Sequence, residues 1–98
     1  MHSRPWKVLI SKRAEKFIEN LPEKSQRIVR EKLKTLRNDP YPRRGGSKKK
    51  LNLPDYELYR MHIARSYTVF YRIIEDKRVV KILDIMTIKQ AHKMYGRL

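Results

Sequence analysis

The sequence contains no cysteine, and its 98 residues include only ten acidic residues against 25 lysines and arginines. The lack of cysteine excludes a disulfide framework and a thiolate metal site, so nothing indicates secretion. No apolar run is long enough to span a bilayer, and residues 1–6 contain no apolar segment of a signal peptide. The three histidines, His2, His62 and His92, lack the spacing of a zinc site. We therefore expect a cytoplasmic protein that needs neither a metal nor a cofactor.

The excess of positive charge, +15 at pH 7, is the strongest signal in the composition. A domain of this size with such an excess attracts polyanions, and nucleic acid is the commonest polyanion in a cell. The same positive charge would also attract an acidic protein or a membrane surface. The length predicts one domain over residues 1–98 with a modest core. We expect nucleic acid rather than a membrane as its main partner, and an acidic protein can bind the same domain.

Residues 56–88 carry three runs of β-branched and aromatic side chains. Two short polar breaks, at residues 64–66 and 75–77, separate these runs. This pattern predicts an antiparallel meander of three strands with tight turns. Side chains alternate along a strand, so Arg60 and His62 fall on one face of the first run and its neighbouring apolar side chains on the other. One face can close a core while the other offers a cation and an imidazole.

The first half of the chain predicts a strand followed by a helical hairpin. Residues 6–10 form a short apolar run typical of an opening strand, and Ser11 can cap the next helix. Apolar side chains within residues 14–21 recur at the spacing of one buried helix face. Pro22 suits the start of a second helix, which should end at Asp39–Pro40 because the residue before a proline avoids helical geometry.

Residues 40–54 predict an irregular basic loop, because they contain three prolines and two glycines. Five of these residues are cationic, and Tyr41 lies among them. A solvated segment would have the same charge, but the tyrosine favours binding of phosphate and stacking on a base. Lys48, Lys49 and Lys50 are the candidate RNA-binding residues of this loop. Residues 87–98 are expected to form a basic tail.

This order of elements resembles the RelE/ParE toxin superfamily, and within it the RelE side. The resemblance is carried by Lys50–Leu51, by the segments 58–63 and 66–72, and by Lys89 and Tyr95. It implies an α+β fold with an N-terminal strand, a helical hairpin and a three-stranded antiparallel meander. These strands would form one twisted sheet with the helices on one face, and the other face and the tail would form a basic cleft.

RelE-like proteins are known as toxins that cut messenger RNA in the ribosomal A site without a metal and so inhibit translation. The resemblance implies mRNA and the ribosome as partners, together with an acidic, RelB-like antitoxin. By position, Arg60 and His62 match the basic residues of the second strand counted from the N terminus. Lys89 matches the arginine that follows the last strand, and Tyr95 matches the terminal tyrosine. These four are the expected catalytic residues.

The sequence departs from the family pattern at Thr68, where an arginine is usual. Arg65 and Arg72 are the candidates to replace that arginine, and we expect both to bind RNA. Lys89 is a second departure, since lysine offers a point charge where arginine offers a bidentate fork. Two other functions therefore stay open. One is a ParE-like poison of DNA gyrase, and the other is a degenerate relative that binds RNA without cleaving it.

The residues also suit the chemistry that the resemblance implies. RNA supplies its own nucleophile, the 2′-hydroxyl, so a protein must orient it, remove its proton and stabilise the charge at phosphorus. Arg60 and Arg72 are suitable phosphate clamps. Neighbouring cations should lower the pKa of His62 and leave the imidazole neutral, able to accept the 2′ proton. Tyr95 could stack on a base or take part in proton transfer.

Overall fold

The structure, a computed structural model, describes residues 4–95 of the chain. Its strands are β1 (Lys7–Ile10), β2 (Lys48–Asn52), β3 (Glu57–Ile63), β4 (Tyr67–Ile74) and β5 (Val79–Thr87). Its helices are α1 (Lys12–Glu19), α2 (Glu23–Lys34) and α3 (Ile88–Tyr95), and a 3₁₀ turn, Thr35–Arg37, extends α2. The strands form one sheet in the order β1-β5-β4-β3-β2. β1 runs parallel to β5, and the other neighbours are antiparallel.

The helical hairpin is confirmed and begins as expected at Ser11. The Ser11 hydroxyl accepts a hydrogen bond from the backbone N–H of Ala14 at 3.1 Å and donates one to the carbonyl of Leu83 at 2.8 Å. This single side chain therefore caps α1 and ties its start to β5. Pro22 stands directly before α2, in agreement with the sequence, and an ion pair between Arg30 and Glu15 joins the two helices at 2.5 Å.

The main core lies between this hairpin and one face of the sheet. Tyr71, at its centre, is fully buried and donates a hydrogen bond from its hydroxyl to the carbonyl of Pro40 at 2.7 Å. Its ring stacks on that of Tyr59 with 5.6 Å between centroids. Such a buried hydroxyl keeps a partner because burying it unpaired is costly. The other fully buried side chains of this core include Ala14, Ile18, Val29, Leu36, Val69 and Val80.

Strand β2 corrects the expectation of an irregular loop over residues 40–54. Residues 40–47 are irregular, but Lys48–Asn52 pair antiparallel with β3. The prolines and glycines lie outside this segment, so none of them interrupts the ladder. Lysines are common on edge strands because their charge discourages pairing with other chains. The sheet consequently has five strands where the sequence predicted four.

Helix α3 corrects the expectation of a tail and of helices on one face only. Thr87 and Gln90 form a capping box, in which the Thr87 hydroxyl accepts from the Gln90 N–H at 3.1 Å and the Gln90 amide oxygen accepts from the Thr87 N–H at 3.0 Å. Ala91 packs into a second, smaller apolar cluster with Phe70 and Met86 on the face opposite the hairpin. The α+β class is confirmed, with helices on both faces. Within residues 4–95, no helix is long and apolar enough to cross a membrane.

Candidate functional site

A cluster of polar side chains lies on the α3 face of the sheet, along β2, β3 and β4. Lys49 stands opposite Arg60, and His62 stands opposite Thr68. Directly opposed residues of neighbouring strands project from the same face. The alternation predicted for β3 is confirmed, since Tyr59, the neighbour of Arg60, is buried in the main core on the other side. The register therefore gathers two cations, an imidazole and a hydroxyl on one surface.

Arg60 and His62 are held together by the backbone of Ser47. The Arg60 Nη1 donates to the Ser47 carbonyl at 2.7 Å, and the backbone N–H of His62 donates to the same oxygen at 3.2 Å. The same Nη1 lies 3.4 Å from Nδ1 of His62. A turn before Ser47 places this carbonyl beside β3. Within that turn, Gly45 adopts a positive φ of 72°. A side chain at Gly45 would strain the turn that positions the pair.

Burial lowers the pKa of both side chains. For His62 the pKa is lowered from its usual value of 6.5, first by burial and then by the charges of Arg60 and His92. The imidazole is consequently neutral near pH 7, as the sequence predicted, although burial outweighs the neighbouring cations. For Arg60 burial also lowers the pKa, yet a guanidinium keeps its proton in proteins. The pair combines a fixed cation with an uncharged imidazole.

Three buried polar atoms of this cluster have no hydrogen-bond partner among the described residues. They are Nε of Arg60, Nε2 of His62 and Oγ1 of Thr68. Thr68 is the most enclosed of the three residues, with none of its surface exposed. Buried polar groups are nearly always paired, so such a group calls for an explanation. Three of them on one face distinguish this part of the sheet from an ordinary packed core.

The three lysines expected to bind RNA do not act as one group. Lys48 points toward the main core side and donates to the carbonyl of Asp39 at 2.7 Å, and burial lowers its pKa. Lys50 forms an ion pair with Glu57 at 3.1 Å. Lys49 is exposed and shares the α3 face with Arg60. Of the three, Lys49 alone lies on the face of the polar cluster.

The other candidates are spread around this cluster. Arg72 is exposed, and its guanidinium lies 5.1 Å from the ring centroid of Tyr56. Arg65 is exposed in the β3–β4 turn with a φ of 56°, next to a second left-handed residue. Lys89 is exposed in the first turn of α3. Tyr95 is the last residue of α3, and its side chain lies outside the described residues.

A groove of about 710 Å³ opens beside the cluster, between α2 and the β3–β4 turn. His62, Ser47 and Arg65 line it on the sheet side, and Glu31 and Lys32 line it on α2. No local pattern in the sequence indicates that α2 or Ser47 belongs to the site, because both reach it through tertiary contacts. Within residues 4–95, no group of three or more histidine or acidic side chains could hold a metal ion.

Residues 8–91 match the family model of the ParE toxin of the type II toxin–antitoxin system parDE. The chain belongs to the RelE/ParE toxin superfamily. It is a toxin of a type II toxin–antitoxin system. Among curated proteins, none matches its sequence.

Solved structures agree with this membership. The toxin is 30% identical to a chain in the crystal structure of the archaeal RelE–RelB complex from Pyrococcus horikoshii OT3, with a TM-score of 0.72 over 85% of this chain and 94% of that one. The toxin–antitoxin complex RelBE2 from Mycobacterium tuberculosis gives 21% identity and a TM-score of 0.73 over 88% and 94%. A mutant of E. coli RelE in the free state gives 18% identity and a TM-score of 0.60 over 94% and 92%. The similarities to the M. tuberculosis and E. coli structures, at 21% and 18% identity, support the fold alone.

Proposed function

We propose that the toxin is an endoribonuclease that cuts messenger RNA on the ribosome without a metal and so inhibits translation. The contact between Arg60 and His62, 3.4 Å between Nη1 and Nδ1, carries this proposal. It joins a permanent cation to a neutral imidazole on the α3 face of the sheet. A cation can stabilise the charge that develops on a phosphate, and a neutral imidazole can either accept a proton or donate a hydrogen bond.

In the proposed reaction the RNA 2′-oxygen attacks the adjacent phosphorus and loses its proton. The bond from phosphorus to the 5′-oxygen breaks, and that oxygen gains a proton. The products are a 2′,3′-cyclic phosphate and a 5′-hydroxyl. Arg60 would stabilise the negative charge of the phosphorane, and the groove beside it would orient the strand.

The neutral state of His62 meets one requirement of the base expected from the sequence. Only a nitrogen whose lone pair faces the 2′-oxygen can take the proton, so the orientation of the ring decides this role. Lys89, on α3, is proposed as a second cation near the phosphate. Tyr95 is proposed to stack on a base or to take part in proton transfer. Lys49, Arg65 and the other exposed cations would bind the phosphates of the flanking RNA.

An acidic, RelB-like antitoxin is the proposed protein partner, and the cytoplasm is the proposed location. The structures from P. horikoshii and M. tuberculosis are complexes of a toxin with its antitoxin. The net charge of +15 supports an acidic partner, because complementary charge speeds association and disfavours wrong partners.

Poisoning of DNA gyrase is the second candidate function, and the match to the ParE toxin model favours it. An inhibitor that acts by binding a protein needs no paired guanidinium and neutral imidazole. A degenerate RNA-binding relative is the third candidate, because Thr68 replaces a family arginine. The Arg60–His62 pair supports the nuclease over the gyrase poison.

The proposal is tested by the cleavage rate of ribosome-bound mRNA with two matched variants. Arg60→Ala should lower the rate about a hundredfold or more, since loss of one preorganised charge donor has an effect of that order. Arg72→Ala removes the same charge from a side chain that lies over Tyr56 and should lower the rate less than tenfold. Equal rates in the Arg60→Ala variant and the wild type would refute the assignment of Arg60.

A further inference from the structure

The contact with Arg60 determines which nitrogen of His62 carries the hydrogen. A guanidinium contains only hydrogen-bond donors, and its Nη1 carries two hydrogens. One serves the Ser47 carbonyl at 2.7 Å, and the other is left for Nδ1 of His62 at 3.4 Å. Nδ1 therefore accepts through its lone pair. A neutral imidazole has a single N–H, so that hydrogen must lie on Nε2.

The three unpartnered atoms of the cluster are consequently all donors. Arg60 Nε and His62 Nε2 each carry a hydrogen, and the Thr68 hydroxyl can donate one as well. None of them has an acceptor among the described residues. His62 and Thr68 are directly opposed across β3 and β4, and Arg60 lies two residues from His62 on the same face. The cluster thus presents three donors, one of them cationic, and lacks a matching acceptor.

We propose that Arg60, His62 and Thr68 form a binding site for one phosphoryl oxygen, with Thr68 as its third donor. An anionic oxygen has several lone pairs and can accept from all three groups at once. Neutral imidazole serves as a donor toward developing negative charge in known enzymes. The inference rests on the proposed function in one respect, which is that the bound phosphate would belong to RNA. It makes His62 a donor to the phosphate in place of the base expected from the sequence.

The burial of Thr68 limits the access of a phosphoryl oxygen to its hydroxyl. Its neighbours on the same face, Phe70 and Met86, form an apolar cluster with Ala91 of α3. α3 contacts both β4 and β5. Thr68 is fully buried, so a phosphoryl oxygen can reach its hydroxyl only when the side chains that cover it shift. Met86 stands opposite Thr68 and packs with Ala91, so binding of phosphate should also change the surroundings of α3.

The site can be tested on the full ¹⁵N-labelled chain with inorganic phosphate as the probe, at constant ionic strength. Two-bond ¹H–¹⁵N spectra should show His62 with its hydrogen on Nε2 before phosphate is added. Phosphate should then shift the resonances of His62, Thr68 and Ala91. A hydrogen on Nδ1, or phosphate shifts restricted to surface lysines, would overturn the proposal and leave an adventitious ion only.

Two variants at Thr68 separate the hydroxyl from the shape of the side chain. Thr68→Val keeps the shape and should weaken phosphate binding about tenfold or more, as expected for loss of a hydrogen bond to a charged group. Thr68→Ser keeps the hydroxyl and should stay within about twofold of the wild type. Equal affinity in the two variants would overturn the role of Thr68. Equal shifts with acetate would instead favour a carboxylate of a protein partner and overturn the phosphate assignment.

These outcomes are independent of the nuclease proposal, because the measurement uses neither mRNA nor ribosomes. Phosphate binding that depends on the Thr68 hydroxyl, in a protein that leaves mRNA intact, would support the site and refute the nuclease. Cleavage of mRNA at the same rate by Thr68→Val and Thr68→Ser, with no phosphate shift at Thr68, would refute the site alone.

Discussion

Thr68 is the residue at which stability and the proposed function should oppose each other. It is fully buried, and Oγ1 has no partner among the described residues. An unpaired buried hydroxyl costs about 1–3 kcal/mol, and an apolar group of the same shape removes that cost. Thr68→Val should therefore stabilise the free protein by about 1 kcal/mol, which corresponds to a melting temperature roughly 4–8 °C higher.

Thermal unfolding of the wild type, Thr68→Val and Thr68→Ser would check this prediction. Thr68→Ser keeps the hydroxyl and loses a methyl group, so it should not be stabilised. A melting temperature for Thr68→Val below that of the wild type would mean that the hydroxyl has a partner in the native protein. The combination of higher stability with weaker phosphate binding is typical of a side chain retained for function.

His62 should make the stability of the toxin depend on pH. Its pKa in the folded protein lies below the usual 6.5, so the unfolded chain binds more protons at mildly acidic pH. Stability from this group is therefore complete above pH 6.5 and decreases as the pH falls through 6.5 toward the lowered pKa. Between pH 7 and pH 5.5, the melting temperature of the wild type should fall more than that of His62→Gln. The same fall in both proteins would contradict the lowered pKa.

At the scale of elements, β2 divides its three lysines between two faces. Lys49→Ala should weaken RNA binding and reduce the slope of log affinity against log salt by about 1, as expected for one lost phosphate contact. Lys48→Ala should leave that slope unchanged and lower the melting temperature, since Lys48 binds the Asp39 carbonyl. Lys50→Ala is the matched control, because its charge is paired with Glu57. If all three variants kept the salt dependence of the wild type, β2 would not contact RNA.

The elements that the sequence predicted are those with a strong local signal. The helical hairpin follows from apolar periodicity and from Ser11 and Pro22, and the meander follows from its alternating runs. Helix α3 also had a local signal in the capping box of Thr87 and Gln90, but the surrounding cations made the segment resemble a tail. β2 had none, because consecutive lysines are not typical of a strand and its pairing with β3 is a tertiary contact.

The candidate site was predictable in part for the same reason. Alternation along β3 was enough to place Arg60 and His62 on one face. A three-residue break at 64–66 also implies that residue 62 stands opposite residue 68, so the position of Thr68 could have been derived from the sequence. The Ser47 carbonyl, the groove along α2 and the burial that lowers the pKa of His62 depend on packing between distant segments.

At the scale of the whole molecule, the charge of +15 governs association rather than chemistry. It should draw RNA and an acidic antitoxin to the same surface, and both affinities should fall steeply as salt rises. A gyrase poison or an inactive RNA-binding relative would show the same salt dependence. Binding alone therefore does not separate the candidate functions, whereas the chemistry of the cut ends does.

The most direct test is an analysis of the ends formed when the purified toxin meets ribosomes programmed with a defined mRNA. We expect cleavage of the bound message, with a 2′,3′-cyclic phosphate on the upstream fragment and a 5′-hydroxyl on the downstream one. The Arg60→Ala protein, folded as shown by its melting curve, should give at least about a hundredfold less product in the same time. An intact message with inhibited gyrase, or fragments that carry a 5′-phosphate, would contradict the proposed metal-independent nuclease activity.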